Sequence, residues 1–308
     1  TMSKDSLRIF LYEAARIFLV GVAIALTIAA ARSYFQAPTL EDFKREYTPA
    51  RTEAQKDIAA TYLSRFTAQE LLDELDGGDV DGICHVQSHG IGRAVYSRTQ
   101  NFTESIRQCG NACTFGCFHG AMMEMFSTES DTLGGTVEGD TPKQYLERIK
   151  AVAPDLCWKP EVESVVRPRS CTHGLGHAFQ SLTNDLDTSV DSCAVLKNPK
   201  SIAFCRAGVF MEYLFNASST ADLYAKGARP CDRFPNDTIS CYQYKAYGWI
   251  RAYGSVSAAL RACDALGENA RTCYQSIGRA GATEQILGSD EQLDALCSAA
   301  VGDMRTAC

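Results

Sequence analysis

The sequence predicts an all-α protein: an N-terminal transmembrane helix followed by a disulfide-stapled array of helical-hairpin repeats. Three observations carry this reading. Alternating β-branched runs are missing, while Ala, Leu, Glu, Gln and Arg fill stretches such as Gln144 to Val152 and Val256 to Leu266. One early segment is uncharged for 15 residues. Scarce residue types also recur at a fixed distance along the chain.

The uncharged segment runs from Ile17 to Ala31 between Arg16 and Arg32. Extended back over residues 9–31, it approaches the roughly 20 residues that a bilayer requires. Lys4, Arg8 and Arg16 lie on its N-terminal side. The positive-inside rule then predicts a single-pass membrane protein with a cytoplasmic N-terminus and a periplasmic, extracellular or lumenal main domain. The lipid bilayer is the expected partner, through residues 9–31. Glu13 and Arg16 are charges of the kind that pair with a neighbouring membrane protein. A cleaved signal peptide ending at Ala29-Ala30-Ala31 is the competing reading, and it exports the same domain.

With 14 cysteines and no Cys-x-x-Cys pair, the chain reads as disulfide-bonded rather than as a zinc ribbon or a thioredoxin-type protein. That agrees with export. A net charge of −7, without clustered Lys and Arg among aromatics, excludes nucleic acid as a partner.

Residues 1–34 are therefore assigned to the cytoplasmic N-terminus and anchor, and 35–80 to a tether and helical stalk. Within the stalk, Thr67 and Glu70 have capping-box spacing, predicting a helix that starts there and stops at Gly77-Gly78. Two matched repeat units follow at 81–140 and 141–230, a degenerate third at 231–285 and a C-terminal cap at 286–308.

The repeat emerges at a shift of 88. His85 then falls on His173, His89 on His177, Cys117 on Cys205, Gly120 on Gly208, Met123 on Met211 and Glu124 on Glu212. The third unit repeats Cys171, Cys193 and Cys205 as Cys241, Cys263 and Cys273, but has Gln243 and Tyr247 in place of the histidines. Each unit reads as two helices.

The chain has five histidines, His85, His89, His119, His173 and His177; four of them form the two matched pairs, and His119 lies two residues after Cys117. Side chains four apart on a helix share a face with Cβ atoms about 5–6 Å apart, so each His-x-x-x-His pair presents two imidazoles to one ion. Two such pairs, His119, Glu124 and Glu212 make seven N and O ligands. That set exceeds one tetrahedral zinc and suits two transition-metal ions, with iron or copper preferred over zinc. Glu124 lies five positions after His119, about 140° round a regular helix, so an orienting role is a second reading for it. Buried histidines packed without metal are the plain structural alternative.

Because the third unit keeps its cysteines after losing its histidines, those cysteines read as helix staples rather than ligands. Cys171, Cys205, Cys241, Cys273, Cys193 and Cys263 are the candidates, with Cys171–Cys205 and Cys241–Cys273 the preferred pairs. The sequence thus predicts an exported, membrane-anchored metalloprotein with a His/Glu site. An open coordination position at that site would allow redox or hydrolytic chemistry, with a metal-dependent oxidoreductase the favoured enzyme, and a closed one would make the metal structural or carried. A disulfide-stapled scaffold for a membrane partner, or a metal storage and delivery protein, are the alternatives.

Overall fold

A computed structural model describes residues 38–76, 83–127, 141–215 and 229–283, together with 16, 18–24, 26, 27, 220–223, 225–227, 297, 298 and 302. Among these the chain is helical, without strands. The expected membrane segment at 9–31, the Gly77-Gly78 stop and the cap at 286–308 lie largely or wholly outside the described residues. Among those described, no helix is long and apolar enough to cross a membrane, so the transmembrane helix finds no support in the fold.

After helical residues at 18–24 come three short helices, α1 (Leu40–Tyr47), α2 (Thr52–Tyr62) and α3 (Ala68–Asp76). Thr39 caps α1 in a capping box with Asp42. Thr67 and Glu70 exchange the same reciprocal bonds at the start of α3, as their spacing predicted. These helices do not stand apart as a stalk. Phe43, Tyr47, Leu71 and Leu72 share a core with Ile91, Val95 and the Cys109 and Cys117 sulfurs of the first repeat unit.

The units repeat a set of three helices rather than two, and in the second unit Pro142–Leu156, Pro160–Glu163 and Thr220–Leu223 are helices outside that set. The first unit comprises α4 (Ile83–Thr99), α5 (Phe102–Cys109) and α6 (Gly116–Met125). After α7 (Pro142–Leu156), which Thr141 and Gln144 begin with another capping box, come α8 (Pro168–Thr183), α9 (Leu186–Ser192) and α10 (Pro199–Phe215). The third unit comprises α11 (Thr238–Tyr253), α12 (Val256–Cys263) and α13 (Ala270–Thr283). A large shared core running from Tyr96 to Ile277 joins all three units.

The elbow between the long and short helices fixes the repeat register. Gln100, Asn184 and Gly254 all take positive φ there, at 50°, 48° and 76°. The next residue, Asn101, Asp185 or Ser255, then caps the short helix through its side chain. Hydroxyl pairs Thr99–Ser105 and Thr183–Ser189, both at 2.6 Å, tie the first two elbows. These equivalences are 84 residues apart, not 88. The packing agrees: a Cβ on Gly92 would lie 1.8 Å from the Cys117 carbonyl oxygen, and one on Gly176 would lie 1.9 Å from that of Cys205. Both long helices therefore cross their third helices with backbone in contact at a glycine.

The shift of 88 holds for the third helices and fails for the long ones. Cys109 to Cys117 spans 8 residues and Cys193 to Cys205 spans 12, and this difference of four is close to one helical turn. A histidine pair spaced by four matches itself when slid by four. His89 is thus the counterpart of His173, Arg93 that of His177, and Arg169 that of His85.

Six disulfides join the described residues: Cys84–Cys113, Cys109–Cys117, Cys157–Cys171, Cys193–Cys205, Cys231–Cys241 and Cys263–Cys273. The expected Cys171–Cys205 and Cys241–Cys273 pairs do not form. Cys205 packs level with Gly176, five residues and about 7.5 Å along the helix from Cys171, which is too far for a bridge. The short helix instead brings Cys193 to Cys205 and, in the third unit, Cys263 to Cys273. The other two candidates, Cys171 and Cys241, are tied to the segments that precede their own helices.

Candidate metal centre

Helix α4 supplies His85 and His89, α6 supplies His119, and α8 supplies His173 and His177. The α8 helix reaches the first unit because Gly174 has no side chain. A Cβ there would lie 2.9 Å from Cδ2 of His119 and 3.0 Å from the Phe118 ring. Ring centroids are 4.8 Å apart for His119 and His177, 5.0 Å for His89 and His177, 5.0 Å for His85 and His119, and 5.2 Å for His119 and His173. All five histidines meet in one cluster.

One ligand nitrogen from each of His85, His89, His119 and His177 lies within 4.8 Å of every other, and all four side chains are buried. This four-histidine group can hold a metal ion. His173 joins at the edge, its Nε2 3.1 Å from Nε2 of His177. Nδ1 of His119 lies 3.3 Å from Nε2 of His85. A tetrahedral ion with metal–nitrogen bonds of about 2.0–2.1 Å has ligand nitrogens about 3.3 Å apart, so both separations match neighbouring corners of a coordination shell.

The outer nitrogens are held in a way that frees the inner ones. His85 donates from Nδ1 to the Cys113 carbonyl at 3.2 Å, which leaves its Nε2 lone pair facing His119. His177 donates from Nδ1 to Oε2 of Glu212 at 2.9 Å, leaving Nε2 facing His173. His173 has a backbone hydrogen bond at Phe204. Carbonyl and carboxylate partners on the far ring nitrogen are what metal-ligating histidines ordinarily have. Nε2 of His89 and Nε2 of His119 are buried without any hydrogen-bond partner, an uncommon state for a polar atom.

Electrostatics favours neutral rings. Burial first, and the neighbouring His177 imidazole second, hold His89, His119 and His173 well below the ordinary histidine range. Neutral imidazole is the metal-binding form.

The carboxylates divide. Glu212 stands beside the cluster, 2.9 Å from Nδ1 of His177 and 3.7 Å from Nδ1 of His89, so it orients imidazoles through their outer nitrogens. Glu124 departs from the expected ligand set. It forms an ion pair with Lys56 of α2 and accepts a 2.9 Å hydrogen bond from Ser97, because its place on α6 turns it away from His119. The seven expected ligands divide into four buried imidazoles that can hold an ion together, His173 at their edge, Glu212 on their outer nitrogens and Glu124 elsewhere.

Sequence reasoning missed the Cys113 carbonyl and the Phe204 backbone partner. A main-chain group leaves no signature in residue type, so nothing in the sequence pointed to either. Comparison of the chain with protein-family models, with curated proteins and with solved structures gives no match.

Proposed function

We propose that this protein holds one redox-active transition-metal ion, copper or iron, among His85, His89, His119, His173 and His177. The observation that carries the reading is the convergence of four buried imidazole nitrogens within 4.8 Å, two of the four rings being locked in the metal-ready tautomer by outer partners. Imidazole donors without thiolate, with His173 at the edge as a further nitrogen, suit copper or iron. With Glu124 engaged elsewhere, the donor set supports one ion rather than the pair expected from the sequence.

Buried rings exclude bulky substrates. The accessible edge is His173, whose ring centroid lies 6.1 Å from that of Tyr244. Electrons or a small molecule reach the ion there, which makes electron exchange the reading that burial supports over turnover of a large substrate. Six disulfides support work in an oxidising compartment. The uncharged run at 17–31, read from the sequence alone, would tether the domain to the membrane bordering that compartment.

The test is elemental analysis of protein purified without added metal, coupled to optical and paramagnetic resonance spectra before and after reduction. About one equivalent of copper or iron with a reversible spectral change is expected. Less than half an equivalent of any transition metal, also after incubation with each ion, defeats the reading. So does full metal retention by a His89→Ala, His177→Ala double variant.

A further inference from the structure

Of the six disulfides within the described residues, five follow the repeat and the sixth does not. Cys109–Cys117, Cys193–Cys205 and Cys263–Cys273 are one staple repeated three times, and Cys157–Cys171 and Cys231–Cys241 are a second staple repeated twice. In the first unit, Gln87 occupies the position of Cys171, and Cys84–Cys113 stands in place of the second staple.

This bridge differs in exposure. The ten cysteines of the five repeated staples are each 0% exposed, whereas Cys113 is 6% exposed and Cys84 is partly exposed. Thiol–disulfide exchange requires a thiolate to approach along the sulfur–sulfur axis, so access decides which bridge reacts. The bridge also embraces one metal-site residue from two sides. Cys84 precedes His85 in the chain, and the Cys113 carbonyl accepts the His85 Nδ1–H. Around Cys113 the backbone is held in an unfavourable form, with φ of 49° at Cys113 and 68° at Phe115, both residues with side chains. Such left-handed positions persist only while their surroundings enforce them.

We propose that Cys84–Cys113 is a thiol-exchange site, opened by a dithiol reductant ahead of the other described bridges, and that its opening releases the His85 imidazole from its fixed orientation. In the exchange a reductant thiolate attacks the more exposed Cys84 sulfur, a mixed disulfide forms, and Cys113 leaves as a thiolate that takes up a proton. The second reductant thiol then closes on the first, and Cys84 leaves as a thiol. Two electrons pass from dithiol to bridge, and the reductant ends as its own disulfide. With the bridge open, residues 112–115 relax from left-handed backbone and carry the Cys113 carbonyl away from His85. The consequence for the metal rests on the metal-binding reading, whereas the order of reduction does not.

The experiment titrates the whole chain with dithiothreitol, traps thiols by alkylation and maps them by mass spectrometry, with and without bound copper. In both forms, Cys84 and Cys113 are expected to be alkylated first, at reductant levels that leave the other five bridges closed. At that stage the metal-loaded chain should lose copper to a chelator at least tenfold faster than the unreduced protein. A Cys84→Ser, Cys113→Ser double variant should show the fast loss without reductant and no further change with it. Earlier alkylation of any of the other five described pairs overturns the site, and unchanged copper loss after selective opening overturns its link to His85. A chain that takes up no metal defeats the metal reading, while the alkylation order still decides the exchange site.

Discussion

Nδ1 of His177 lies 2.9 Å from Oε2 of Glu212, and through that bond the carboxylate fixes which nitrogen of the ring faces the centre of the cluster. Glu212→Gln keeps the shape but removes the charge that raises imidazole basicity. Its metal affinity, measured by competition with a chelator, should fall about 10–100-fold while the helical content stays the same. Affinity within twofold of the parent protein would show that Glu212 does not orient a ligand.

Glu124, its counterpart in the first unit, should behave oppositely. Glu124→Gln breaks the ion pair with Lys56, which joins α2 to α6. Loss of a hydrogen-bonded charged partner at a largely buried site should lower unfolding stability by about 1–3 kcal/mol in urea titration. Metal affinity should not change, and a tenfold loss would return Glu124 to the ligand set.

The buried imidazoles set a pH dependence for the metal-free chain. His89, His119 and His173 are held neutral in the fold, below the ordinary value of 6.5, chiefly by burial. An unfolded chain takes up protons on these rings as pH drops through about 6.5, while the folded chain does not. Stability is therefore full above that pH and declines below it, by up to about 1.4 kcal/mol per pH unit for each ring. Denaturation curves between pH 7 and 5 check this, and a flat profile would mean that the rings protonate in place.

Gly92 and Gly176 are where each long helix touches its partner's backbone. An alanine Cβ would lie 1.8 Å from the Cys117 carbonyl oxygen in the first case and 1.9 Å from that of Cys205 in the second. Backbone cannot yield as a flexible side chain does, so either substitution should destabilise the protein by about 3 kcal/mol or more. A change under about 1 kcal/mol in thermal or urea unfolding would refute the crossing.

Much of this protein was determined by its sequence alone. Residue types without strand periodicity gave helices, Thr67 set the start of α3, and the recurrence of scarce Cys and His residues marked the histidines that the fold brings together. These features are local or periodic, and helix caps and i,i+4 spacing act within a few residues. Tertiary structure decided the rest. The true register of 84 in the long helices was concealed because the histidine spacing and the loop difference are both four, close to one turn. The elbows at Gln100 and Asn184, with the packing of Gly92 on Cys117 and Gly176 on Cys205, separate the two alignments. Cysteine pairing, the diversion of Glu124 to Lys56 and the grip of the Cys113 carbonyl on His85 depend equally on how helices cross. Crossing is fixed by contacts between residues far apart in the chain, and no spacing along the sequence records them.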